Sequence, residues 1–181
     1  EAALSRQTPV LDIQARADRQ GWTLSRLELH WLGLNLQAQG QWSERTRQMD
    51  GTAHWALPGL QGRIEGYVSA QQGRAQWEID CTDAEKLHQE WTRWNTQAAQ
   101  LPAWLRSASL QAKGQWQGGW ASEKSLLQLS HLNGQVQPTP GSGVPLQWQL
   151  GGPLDISWQP STHALQWPRH HWWLRDADQI V

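Results

Sequence analysis

His163, His170 and His171 stand close to Asp176 and Asp178, and imidazole with carboxylate is the donor set of many metal centres. Their spacing matches no standard site. Neighbouring residues of an extended chain point to opposite faces, so His170 and His171 cannot both turn to one ion. They read as solvated loop histidines, and no metal site is assigned. Asp80, Asp83 and Glu85 form a second cluster. They fall where a helix is expected to begin, and acids there suit the positive end of its dipole. No nucleophile elbow, phosphate loop or Cys-x-x-Cys pair occurs. Cys81 is the only cysteine, so it has no disulfide partner within the chain. No catalytic residue and no cofactor is assigned, and the chain is not expected to be an enzyme.

Tryptophan is the unusual component. There are 15 Trp, no Phe and one Tyr, so the aromatic surface is almost wholly indole. Trp42, Trp55, Trp77, Trp116, Trp148 and Trp158 end or sit within rows of alternate apolar residues. Any one of them can be read as core, since Trp buries a large area. As a set they point to a surface that holds an apolar ligand. Val and Ile are scarce, and Gly or Ala often stands two residues from a Trp. That spacing leaves large steps on the apolar face, which suit a groove better than an interlocking core. The groove candidates are Leu36, Trp42, Trp55, Ile64, Val68, Trp77, Leu110, Trp116, Trp148 and Trp158.

The elements that must position these side chains are strands. Leu36-Gln-Ala-Gln-Gly-Gln-Trp42 returns as Leu110-Gln-Ala-Lys-Gly-Gln-Trp116. Each copy alternates strictly, which in an extended chain places Leu, Ala, Gly and Trp on one face and the polar residues on the other. Gly51-Thr-Ala-His-Trp55 and Gly73-Arg-Ala-Gln-Trp77 share a Gly-x-Ala-x-Trp pattern, which extends the repeat. Trp22-Thr-Leu24 and Leu27 to Trp31 alternate in opposite phase, so a bulge is expected near Ser25-Arg26.

One helix interrupts. Thr82-Asp-Ala-Glu85 has the spacing of a capping box. Leu87, Trp91, Trp94, Ala98 and Leu101 then recur at helical period, and Pro102 ends the run. Leu87, Trp91 and Trp94 are expected to pack on the sheet. The predicted class is mainly β: a curved, repetitive antiparallel sheet, taco- or groove-like, with an apolar inner face and one amphipathic helix near 83–100. Residues 1–181 read as a single section of a longer repetitive β protein. It carries a helical insertion at about 82–106 and a loop at 137–143 rich in Pro and Gly.

Charge excludes some partners. A net charge of −1 offers no electrostatic footprint for nucleic acid or an anionic membrane surface. No apolar run approaches the roughly 20 residues that span a bilayer. The chain opens at Glu1, not Met, and reads as a mature or excised segment whose export signal or anchor lies elsewhere.

The run Leu34-x-Leu-x-Ala-x-Gly-x-Trp42, the segment Leu101-Pro-Ala-Trp-Leu105 and Gln115-Trp-Gln-Gly-Gly-Trp120 resemble the periplasmic region of TamB-like proteins. These are the translocation and assembly module branch of the AsmA-like superfamily. The resemblance covers most of Val10 to Trp158. It implies a rolled β-sheet with an apolar interior, in the periplasm of a Gram-negative bacterium, within a protein anchored in the inner membrane. It further implies phospholipid acyl chains as the occupant, in transport between inner and outer membranes or in support of outer-membrane protein assembly. The barrel partner in the outer membrane would be met by parts outside this chain. The resemblance supplies no catalytic residues.

Two other readings stand beside it. A Trp-rich carbohydrate-binding module predicts exposed, coplanar Trp beside polar side chains. A structural or chaperone-like spacer predicts a working strand edge.

Overall fold

The computed structural model describes residues 8–94, 102, 105–136, 145–159, 164–166, 172–176 and 179–180. Six strands come first: β1 (Val10–Asp18), β2 (Gly21–Trp31), β3 (Leu34–Ser43), β4 (Gln48–Leu57), β5 (Leu60–Ser69) and β6 (Gly73–Cys81). Helix α1 (Ala84–Trp94) follows. After it run β7 (Ser109–Gln117), β8 (Ser125–Val136), β9 (Leu146–Leu150) and β10 (Leu154–Gln159). Three short strands complete the set: β11 (Ala164–Gln166), β12 (Trp172–Asp176) and β13 (Gln179–Ile180). The fold is mainly β, with one helix among the described residues. The sequence-expected loop at 137–143, the helix beyond residue 94, and His163, His170, His171 and Asp178 lie outside the described residues. No described helix is long and apolar enough to cross a membrane.

All thirteen strands join one open antiparallel sheet. From β1 to β9 each strand pairs with the next, through short turns as far as β6 and across the segment that holds α1 from β6 to β7. Leu32 and Gly33 both carry positive φ, the signature of a type I′ turn between β2 and β3. Between β4 and β5, Pro58 presets one φ and Gly59 supplies φ of 81°, as a type II turn requires. The order departs from a simple meander at β8. Its Asn133–Val136 half pairs with β9 and its Ser125–Leu129 half with β10, so the sheet divides at that edge. Strand β9 then pairs with β12, and β10 with β11.

Alternation holds along both repeat copies. Leu36, Ala38, Gly40 and Trp42 are half-buried, while Gln37, Gln39 and Gln41 are exposed. In the second copy Ala112 and Gly114 are buried and Leu110 and Trp116 half-buried, with Gln111 and Lys113 exposed. The bulge in β2 lies where the phase change puts it: Leu24 pairs with Gly40 and Leu27 with Ala38, leaving Ser25 and Arg26 opposite Gln39 alone. A second bulge falls at Ser130, between the pairs Lys113–His131 and Gly114–Leu129. In both, a serine hydroxyl donates to a carbonyl of the facing strand at 3.0 Å: Ser25 to Gln14, and Ser130 to Lys113.

Among the described residues all strands lie in one sheet, with no second layer that would make a closed core. Among described apolar residues only Ala75, Cys81, Ala112, Leu129, Val136 and Leu154 are less than a tenth exposed. The largest continuous packing lies where Ala112, Leu129 and Leu154 meet Trp77 and Ile156.

The helix differs from expectation in three ways. Its N-cap is Asp83, not Thr82: Asp83 Oδ1 accepts the Lys86 backbone N–H at 2.9 Å, three residues on. It does not bury Trp91 on the sheet. Trp91 is 52% exposed, Leu87 is half-buried, and the Trp94 side chain lies outside the described residues. The side chain taken out of water is Glu90, paired with Arg93 and set against Gly33. The reason is position. Thr82 and Asp83 both donate to the Gly59 carbonyl, which ties the start of α1 to the hairpin tip at 58–59, while Glu90 meets the tip at 32–33. The helix therefore stands at an end of the strands, and the face it buries meets turns, not the sheet's apolar surface.

Candidate functional site

In an antiparallel sheet, register partners lie on the same face, so cross-strand rows can be followed from pair to pair. On the apolar face one row runs Trp22, Trp42, Met49, Val68. The next runs Leu24, Gly40, Gly51, Gly66, Ala75, Trp116. A third runs Leu27, Ala38, Ala53, Ile64, Trp77, Gly114 and on to Leu129 and Leu154. A fourth joins Leu36, Trp55, Gly62, Ile79 and Ala112. A fifth takes Leu60, Cys81, Leu110, Gly134 and Trp148.

The rows gather nine of the ten groove candidates onto one continuous face: Leu36, Trp42, Trp55, Ile64, Val68, Trp77, Leu110, Trp116 and Trp148. The tenth, Trp158, stands at its far margin, paired with Ser125 on β8. Ile64 and Trp158 are the most open of the set, at 38% and 36% exposed. No Asp, Glu, Lys, Arg or His projects from this face between β3 and β7, because every such residue there falls in the opposite phase. Burial pushes the Cys81 thiol up from its ordinary pKa, which keeps it in the neutral form on this face.

The tryptophans do not simply stand up from the floor. Trp55 lies over Gly62 and Trp148 over Gly134, each its register partner: a β-carbon built at either glycine would fall 2.3 Å from the indole. Trp77 covers Gly114 in the same way. The large steps expected beside Trp are therefore levelled wherever an indole reclines on the neighbouring strand's glycine, a cross-strand pairing that lends the bare backbone an apolar cover. Steps persist only where no indole reaches. The Trp77 Nε1 group is buried with no hydrogen-bond partner among the described residues.

Three contributors were not singled out from sequence. Met49, 40% exposed, joins Trp42 to Val68. Trp120 folds back from the turn after β7, its backbone N–H bonded to the Ser69 carbonyl, and brings its ring 5.8 Å from that of Trp42. Gly40, Gly51 and Gly66 stand side by side on adjacent strands. Their alternation was visible in the chain, but which glycine neighbours which is set by register.

The opposite face is a ladder of polar pairs. Glu78 on β6 reaches Lys113 on β7 at 2.6 Å and Arg63 on β5 at 3.0 Å. The Lys113 hydrogen bond, helped by both positive charges, holds the Glu78 carboxyl below the usual carboxylate range. Arg74 donates to Gln115 Oε1 at 2.7 Å, and Gln128 to Asp155 at 3.0 Å. A hollow of about 640 Å³ beside Gln37, His54, Arg63 and Lys113 is lined by these groups. From β3 to β8 the only Trp, Tyr or Phe on the described strands in this phase is Tyr67.

No known protein family, no characterised protein and no solved structure shows significant similarity to this chain.

Proposed function

We propose that this chain is a β-groove section of a periplasmic protein linking the inner and outer membranes, and that its apolar face holds phospholipid acyl chains in passage. One observation carries the reading: an uncharged face runs unbroken from β3 to β7, and among the described residues no second layer of strands lies over it. A soluble domain ordinarily buries such a face, because exposed apolar patches larger than a few hundred Å² invite association. Moving a sixteen-carbon chain through water costs on the order of 13 kcal/mol, at about 0.8 kcal/mol per CH₂. A continuous apolar floor removes most of that cost without tight binding at any one point. The resemblance to TamB-like proteins supports the compartment and the lipid, and places contact with an outer-membrane barrel partner in parts beyond this chain.

The carbohydrate reading draws no support from the geometry. The indoles of Trp55, Trp77 and Trp148 recline on glycine in rows shared with Leu and Ile, while the polar face offers one tyrosine. The spacer reading has one observation in its favour. Strand β1 is exposed along its whole length, with Val10 at 62%, Leu11 at 56% and Ile13 at 53%, so its outer edge is open to another strand.

Ile64→Asp and Val68→Arg place a charge on the floor, and Glu65→Arg is the matched change on the polar face. Complementation of a deletion strain, read as outer-membrane integrity, separates the readings. The floor variants are expected to fail and the control to succeed. Full complementation by folded floor variants transfers support to the spacer reading, and damage confined to the control transfers it to the polar face.

A further inference from the structure

Strand β1 is an edge of a kind that sheets seldom leave open. Edges are ordinarily kept short, or blunted by proline, lysine, a bulge or an inward charge, because a bare row of N–H and C=O groups invites another strand. β1 runs for 9 residues, Val10–Asp18, and every one is exposed. It holds no Pro and no Lys. The irregularity in its pairing with β2 lies in β2, where Ser25 is the extra residue, so β1 itself carries no bulge. Its charged residues, Asp12, Arg16 and Asp18, all stand in the polar phase, and Asp12 continues the row of Glu28 and Gln37. Leu11, Ile13, Ala15 and Ala17 continue the apolar rows through Leu29, Leu27, Leu24 and Trp22. Among the described residues no strand pairs with the outer side of β1.

We infer that this edge takes a second copy of the chain, β1 against β1, antiparallel about a two-fold axis through Gln14. The assignment goes beyond the proposed role of the apolar face and does not depend on it. Two-fold pairing is self-complementary, so each contact occurs twice. Outward-facing backbone groups alternate along a strand, so the axis must pass through a residue and not between two. Charge selects which residue. With the axis at Gln14, Asp12 of each copy stands opposite Arg16 of the other, and Val10 opposite Asp18. On the apolar face Leu11 meets Ala17 and Ile13 meets Ala15, each large side chain against a small one. Moving the axis to Ala15 sets Asp12 against Asp18, and like charges directly opposite are destabilising. Moving it to Ile13 leaves Asp12 facing Gln14 and Arg16 facing Val10. Within one copy, Asp12 has only a 3.5 Å contact with Arg26, which Glu28 holds at 2.6 Å, and Arg16 forms no ion pair among the described residues. Opposed residues of an antiparallel pair share a face, so the two sheets run on as one with their apolar faces on the same side.

Sedimentation equilibrium of the chain reads the association. Arg16→Asp sets acid against Asp12, and Asp12→Arg sets base against Arg16. Each variant alone is expected to dimerise about tenfold more weakly than wild type, equivalent to 1.4 kcal/mol. A 1:1 mixture of the two is expected to recover the wild-type affinity, because the mixed pair again opposes acid and base at both places. Cross-linking reads the register without altering a charge pair. Gln14→Cys, made with Cys81→Ala so that no other thiol is present, is expected to form a disulfide between copies, since α-carbons facing each other across the axis lie about 4.5–5.5 Å apart. Asp18→Cys in the same background is expected not to, its two copies lying about 26 Å apart along the strands. A chain that stays monomeric overturns the proposal, and so does a dimer that links through Asp18 as readily as through Gln14. A mixture that associates no better than the single variants overturns it when both are folded by circular dichroism. A monomer whose β1 amides resist hydrogen exchange overturns it too, and assigns the edge to a segment of the same chain.

Discussion

Trp77 lies across Gly114, its register partner on the next strand, so closely that a β-carbon at Gly114 would sit 2.6 Å from Trp77 Cζ2 and 2.2 Å from the Gln128 carbonyl. The same match recurs at Trp55 with Gly62 and Trp148 with Gly134, so three large rings each lie over a partner with no side chain.

Gly114→Ala should therefore cost about 1–3 kcal/mol, the range for overpacking a fitted contact. Gly152→Ala is the control, because nothing lies within 4 Å of the added carbon. It should stay within about 0.5 kcal/mol of the wild type. Urea denaturation followed by Trp fluorescence measures both. Equal midpoints for the two variants would show that the indole does not need the glycine.

Ser130 decides which face half of β8 presents. Deleting it removes the bulge, so one side of the strand must exchange its faces. Leu127 and Leu129, or Leu132 and Val136, would then turn outward. Loss of the near-ultraviolet circular dichroism of packed Trp is expected, with far-ultraviolet strand signal largely kept from β1 to β6. Ser130→Ala is milder: it loses one hydrogen bond and should cost about 0.5–1.5 kcal/mol.

Asp83, not Thr82, caps α1. Asp83→Ala should destabilise the helix by about 1 kcal/mol, while Thr82→Ala, at an exposed side chain, should be close to neutral. Hydrogen exchange at the amides of Glu85 to Leu87 reads this locally. Faster exchange in the Thr82 variant than in the Asp83 variant would restore the capping box expected from sequence.

Glu78 links stability to pH. Its folded pKa is depressed by Lys113 first and Arg63 second, so the carboxylate binds its proton more weakly in the folded state. Its contribution is present above the unfolded value of about 4.3 and is lost as pH falls through the lower folded value. Glu78→Gln should be less stable than wild type at neutral pH, and the gap should close on acidification. Salt should narrow it too, since these side chains are solvent-facing. A gap unchanged from neutral to acid would mean that the ion pairs contribute nothing.

Much of the fold was legible along the chain because it rests on local sterics. Successive side chains on a strand must alternate, so Leu36 to Trp42 and Leu110 to Trp116 declare their own faces. The phase change across Ser25-Arg26 declares a bulge for the same reason. The similar phase change at Ser130, between Leu129 and Leu132, carried the same signal and was not singled out. The helix was legible as a helix, since the Leu87, Trp91, Trp94 period needs only its own residues.

Tertiary structure alone decided what those faces meet. Cross-strand register places Trp77 on Gly114 and lines up Gly40, Gly51 and Gly66, residues from three strands whose neighbourhood no single segment encodes. The turn contacts of Asp83 and Thr82 at Gly59 set where α1 stands, which turned Trp91 to solvent and Glu90 inward against its apparent stripe. Period two and period 3.6 are properties of one segment, whereas register and docking are settled by hydrogen bonds and packing between segments far apart in sequence. The alternation thus determined an apolar face, and the pairing of strands decided that part of it is paved with indole and part left as a row of glycines.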